Sequence, residues 1–177
     1  HGNCEAMKLS HDPLHSQLEF KIKHLMISHV RGAFESFQVS IETKDSTFQG
    51  AKIECVIDVD SIKTHIEDRD THLKSSDFFD VAKYPKMIFR STQVQRIKGD
   101  EYSIEGKLTI KGVSNPVTLI GIYNGSDVDQ YGQTKYGFEI STIIKRSNWD
   151  LNFNVMGGHS TLLIGNEVKI EANIQMM

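Results

Sequence analysis

His65, Asp68 and His72 are the residues whose types and spacing best fit chemistry in this chain. On a helix they fall at i, i+3 and i+7, so one face would offer two imidazoles and a carboxylate to a metal ion or a substrate. The His-x-x-x-His pair of an open metal site is absent, however, and helical polar groups of this kind ordinarily cap, pair or meet water. Arg69 and Asp70 stand beside Asp68, which favours ion pairs that fasten the helix to the rest of the fold. Cys55 lies in an alternating stretch with no histidine or acid placed to activate it, so it reads as a small core residue. His24, His29 and Arg31 precede Gly32, where they would either meet a ligand's polar head or serve structural hydrogen bonds. No glycine-rich phosphate loop, Gly-x-Ser-x-Gly or paired-carboxylate signature occurs. Neither a catalytic group nor a metal site is expected.

These residues must be carried by elements, and the dominant period is two. Leu18, Phe20 and Ile22 alternate with Glu19, Lys21 and Lys23, as a strand with one dry face requires. After a break at Arg31-Gly32, Phe37, Val39 and Ile41 form a second such face, and Ile53, Cys55, Ile57 and Val59 a third. Thr64 to Glu67 has the form of a capping box, predicting a short helix to about Lys74 with Ile66 and Leu73 on its apolar side. Phe78 and Phe79 extend that seal towards Pro85. Alternation resumes at Met87 and Phe89, continues from Tyr102 to Ile110, and returns in Val117 to Tyr123, where Ile120 and Ile122 blur it. Two last strands run from about Lys135 to Arg146 and from Glu167 to Met176. Trp149, just beyond the first of these, reads as packing over one end of the fold.

The expectation is an all-β chain of eight antiparallel strands, with a short helix between strands three and four. A sandwich and a closed barrel both satisfy the pattern. Long strands with unpaired edges invite aggregation, which favours rolling the sheet shut. Inside such a barrel there is room for packed side chains or one small ligand. Gly106, Gly121, Ser91, Cys55 and Thr142 fall on or near the inner face among Phe20, Phe37, Phe89 and Phe138. Those small residues either leave an apolar slot or accommodate tight corners and large neighbours.

Bulk composition narrows the partners. Twenty basic and 23 acidic residues leave a net charge of −3, without the basic run that would mark a nucleic-acid surface. Two cysteines, Cys4 and Cys55, make no disulfide framework and fit no zinc spacing. No stretch approaches the ~20 apolar residues of a membrane-spanning helix. Residues 1–6 lack periodicity and read as a leader segment before a single domain over 7–177. With Met7-Lys8 as the start, a cytoplasmic location is expected. A periplasmic or exported one is the alternative if a leader has been removed, and Cys4 would then be placed to carry a lipid.

Several segments carry a resemblance. Asp12-Pro13-Leu14-His15-Ser16 opens the series, followed by Phe20, Lys23-His24-Leu25-Met26 and Val30-Arg31-Gly32. The most specific run is Arg69-Asp70-Thr71-His72-Leu73-Lys74-Ser75-Ser76-Asp77-Phe78-Phe79-Asp80, closing with Tyr84-Pro85 and Phe89-Arg90-Ser91. Gly106 to Val113, Pro116-Val117, Arg146-Ser147 and Gly165-Asn166-Glu167-Val168 continue it in order. From about His11 to Ile174 the chain resembles the YceI-like proteins.

The resemblance implies a lipocalin-like barrel that binds a polyisoprenoid or related amphiphile in a central apolar tunnel, as carrier or store rather than enzyme. Family members are associated with isoprenoid quinones, prenyl diphosphates and fatty amides. On this reading Phe20, Phe37, Phe89, Leu108, Ile110, Phe138 and Ile140 line the tunnel, and Arg31, Arg69 and His72 are candidates for the polar head. The bound lipid is the only non-protein group expected. Transient membrane contact and a homodimer are further expectations. The competing reading is an enzyme acting on such a lipid through His72 and Asp68.

Overall fold

The structure is a computed structural model that describes residues 6–24, 27–44, 47–152 and 164–177. Cys4, all of the leader segment except Ala6, and the Leu25-Met26 pair lie outside the described residues.

Period-two patterning produces strands almost throughout. In chain order they are β1 (Met7–Ser10), β2 (Gln17–His24), β3 (Ser28–Phe34), β4 (Phe37–Thr43), β5 (Lys52–Asp58) and β6 (Ile62–Lys63). After the helix α1 (Glu67–Lys74) come β7 (Lys86–Lys98), β8 (Glu101–Ile110), β9 (Val113–Val128), β10 (Thr134–Lys145) and β11 (Ile164–Met176). One sheet holds all eleven in the order β1-β4-β5-β7-β8-β9-β10-β11-β2-β3-β6, every neighbouring pair antiparallel. The sheet curls on itself like a lipocalin barrel. β1 pairs with β4 along one side, while its end reaches β11: Ser10 N–H donates to Met177 O at 2.9 Å and Met177 N–H returns to Ser10 O at 2.8 Å.

Among the described residues eleven strands replace the eight expected, and the three additions have identifiable causes. β1 and β6 hold four and two residues, too short to establish a period. β3 contains Gly32, which reads as a turn but sits mid-strand opposite Phe20. A Cβ there would lie 2.4 Å from Phe20 Cζ, so the glycine permits an aromatic ring to lie against the backbone. Gly106 does the same under Phe89, with a Cβ only 2.5 Å from that ring and from Arg90 O. It fills space with a neighbour rather than leaving a slot.

The helix starts later than the capping box suggested. Ile66 is its N-cap, and Thr64 is instead gripped by two side chains of the first turn. Thr64 N–H and Oγ1–H both donate to Asp70 Oδ1, at 2.9 and 2.5 Å, while Arg69 donates to Thr64 Oγ1 at 2.8 Å and to Thr64 O at 2.5 Å. Leu73, Phe78 and Phe79 are buried against the sheet, whereas Ile66 is half exposed. Those three close one end of the barrel, called here the upper end.

Candidate functional site

Inward alternation from most of the strands leaves two hollows stacked along the barrel axis. The upper one, about 120 Å³, lies beneath α1 and is bordered by Phe20, Phe34, Ile62, Leu73, Phe78 and Phe79 among others. The lower one, about 150 Å³, is bordered by Phe37, Phe89, Tyr102, Phe138, Ile140 and others. Leu18, Ile57, Leu108 and Ile170 border both, so the two meet at a waist of four aliphatic side chains.

All seven candidate tunnel residues are in these walls. Phe20 and Ile110 face the upper hollow, Phe37, Phe89, Phe138 and Ile140 the lower, and Leu108 stands between. Cys55, Gly121 and Thr142 also border the lower hollow, but Ser91 does not. Burial pushes the Cys55 thiol up to about 12, with Glu54 adding to the effect, so this sulfur is an inert part of the wall.

The candidate polar-head residues do not converge. Arg31 lies directly across from Lys21 on the outer face of the sheet, in a shallow groove with His65, Lys169 and Glu171. Gly32 keeps the alternation of β3 intact, so Val30 and Phe34 face the upper hollow and Arg31 faces out. Arg69 directs Nε and Nη2 at Thr64. His72 Nε2 is 3.5 Å from Asp77 Oδ2, and Asp68 is exposed. Among the described residues no group of three or more histidines, cysteines or acids is placed to hold a metal ion.

Two contributors, Phe48 and Arg146, have no role in the sequence reading, while Trp149 reads there as packing. Phe48, on the connection between β4 and β5, turns inward with φ of +58° and is only 4 % exposed. Its ring meets those of Tyr102, Tyr123, Tyr136 and Phe138 edge-on, at centroid distances of 5.1 to 6.5 Å, and closes the lower end. A left-handed backbone under an aromatic residue gives no sequence signal. Arg146 borders the upper hollow and is buried, with Nε donating to Gly165 O at 2.9 Å, Nη2 to Ile164 O at 3.2 Å and Nη1 to Leu151 O. Burial lowers its pKa from the usual value. Trp149, 1 % exposed, joins it by donating Nε1–H to Leu108 O at 2.9 Å, which fixes the waist strand from behind.

Near the lower end, Asp12 accepts from Lys135 Nζ and pairs with His15 Nδ1, both at 2.8 Å, and accepts from Leu14 N–H at 3.0 Å. Those hydrogen bonds, that of Lys135 foremost, hold its carboxyl well below the usual carboxylate range. Its partners come from β10 and from the segment after β1, so this cluster fastens the place where the sheet meets itself.

A paired apolar void inside a curled eleven-stranded sheet with one helix over its end is specific enough to compare with known proteins. The sequence profile of the YceI-like domain matches residues 9–176. The chain belongs to the YceI-like family. A UPF0312 protein of Staphylococcus aureus (strain N315) is 38% identical over 165 residues, covering 93% of this chain and 94% of its own. One from Staphylococcus epidermidis (strain RP62A) is 36% identical over 169 residues, covering 95% and 96%. Among solved structures, Burkholderia cenocepacia BcnA superposes with a TM-score of 0.80 at 24% identity, covering 93% of this chain and 98% of its own. The Campylobacter jejuni YceI protein gives 0.66 at 31% identity, covering 86% and 90%. A polyisoprenoid-binding domain from Saccharophagus degradans gives 0.70 at 16% identity, covering 95% and 97%. At such low identity this last likeness, like that to BcnA, speaks for the fold.

Proposed function

We propose that this YceI-like chain binds one long-chain apolar or amphiphilic lipid, such as a polyisoprenoid or isoprenoid quinone, as a carrier or store, and performs no reaction on it. The observation that carries the reading is the meeting of two apolar hollows at Leu18, Ile57, Leu108 and Ile170. The lower alone matches the volume of about 150 Å³ that accommodates benzene, and the upper is somewhat smaller. Joined, they offer a path along the axis for a single chain, with the waist and the aromatic ends giving way to extend it. A tail of about ten methylenes gains ~8 kcal/mol from burial before the entropic losses of binding. The Saccharophagus degradans neighbour, a polyisoprenoid-binding domain, supports the same ligand class.

Native mass spectrometry with organic extraction tests this. The expected result is a mass above that of the bare chain and a recoverable long-chain lipid. A bare mass, together with failure to take up added lipid, would sink the proposal. The enzymatic alternative requires His72 and Asp68 to work together, but His72 pairs with Asp77 and Asp68 faces water. Recovery of chemically unaltered lipid after long incubation supports the carrier.

A further inference from the structure

The wall between β5 and β7 is a backbone ladder for only part of its length. Pairing runs from Asp58–Lys86 to Glu54–Arg90 and stops, while β7 continues to Lys98. Immediately beyond, the pairing of β7 with β8 shifts register between Ser91 and Gln93. Side chains then take over the closure. Ile53 N–H donates to Ser91 Oγ at 2.8 Å, and Arg96 N–H donates to Gln49 Oε1 at 2.7 Å. Between them, Gly50 N–H to Val94 O at 2.9 Å spans the same gap from the turn before β5.

Outside this seam is an open groove of about 640 Å³, edged by Glu42, Lys52, Glu54, Arg90 and Gln93. Inside it is the lower hollow. Ala51, Ile53 and Val94 border both, so the wall here is a single side chain thick. A ladder opens only by separating strands, whereas this seam is held by two side-chain acceptors and the single backbone bond of Gly50, so rotamer changes at Ser91 and Gln49 leave one hydrogen bond to break. The two axial ends are covered by α1 with Phe78 and Phe79, and by Phe48. The groove's acids and bases balance, with Arg90 Nε 3.0 Å from Glu54 Oε2, so it suits an uncharged head that donates and accepts hydrogen bonds.

We propose that a single-chain amphiphile with an uncharged, hydrogen-bonding head passes sideways through the β5–β7 seam into the lower hollow, its head remaining in the outer groove. This rests on the lipid-binding reading above, and the two can fail separately. The probe is a pyrene-tailed long-chain alcohol, followed by stopped-flow fluorescence on the full chain. If the wild-type protein does not bind it at equilibrium, the lipid-binding reading fails for this ligand class and the passage fails with it.

If the alcohol binds, the seam is tested by rate. Gln49→Ala combined with Ser91→Ala is expected to speed uptake about ten-fold, the size of effect that loss of two hydrogen bonds from the closed state predicts. Asp70→Asn, which loosens α1 over the upper end, is expected to leave the rate within about two-fold. The reverse ranking places the passage under α1 and overturns the proposal. Should the double variant fail to fold, the wild type decides by hydrogen exchange. Faster exchange at the Ile53 and Arg96 amides than at Ile57, whose N–H faces β7 within the ladder, supports the seam, and equal protection overturns it.

Discussion

The two ends of the barrel do the same job with different physics. At the upper end a helix is held down through one buried threonine, which accepts from Arg69 and donates to Asp70, over the apolar seal of Leu73, Phe78 and Phe79. At the lower end a single ring, Phe48, is wedged among four other aromatics on a strained backbone. The upper closure is directional and concentrated in a few polar atoms. The lower closure is nondirectional and spread over area, so it should tolerate a change of ring but not the loss of one.

Substitutions can break this contrast. The largest effect is expected from Phe48→Ala, which should cost about 3–5 kcal/mol in urea unfolding and enlarge the lower hollow. Phe48→Leu should recover part of that loss. If the alanine variant lost less than about 1 kcal/mol, Phe48 would not be the closure described. Next is Thr64→Val, which keeps shape but leaves Arg69 and Asp70 each short of a partner, for about 1–3 kcal/mol. A Thr64→Val loss equal to that of Phe48→Ala would erase the distinction between the ends.

The Asp12 cluster sharpens the comparison through pH. Because its carboxyl titrates lower in the folded than in the unfolded chain, it stabilises above the ordinary carboxylate range, and that stability drains away as pH falls through and below about 4. Asp12→Asn should therefore unfold more readily than wild type at neutral pH, with the gap narrowing in acid when denaturant midpoints are compared. A gap that stayed constant down to acid pH would remove the Lys135 pairing as its cause. The smallest effect is expected from Asp68→Asn, within about 0.5 kcal/mol and without change in the lipid recovered. A marked change there would revive the enzymatic reading.

Legibility in the sequence followed the same division. Apolar alternation exposes which residues face inward, and Phe20, Phe37, Phe89, Leu108, Ile110, Phe138 and Ile140 all stand in the walls of the hollows. It does not reveal what a glycine is for. Gly32 looks like a turn yet lets Phe20 lie against β3, and reading it as a turn hid a strand and offered Arg31 to a ligand's polar head although it stands on the outer wall. Nor does alternation register contacts made once across long separations. Asp12 with Lys135, Phe48 with Phe138, and Arg146 with the carbonyls at Ile164 and Gly165 depend on how distant segments come together. Each is fixed by tertiary geometry rather than by local period.

The reciprocal hydrogen bonds between Ser10 and Met177 join the earliest strand of the domain to the residue that follows the latest. Since a ribosome makes the amino-proximal part first, β1 must wait for nearly the whole remaining chain before this contact can form. Such distant pairing delays assembly. The wall is completed at that point only after synthesis of the domain is all but finished.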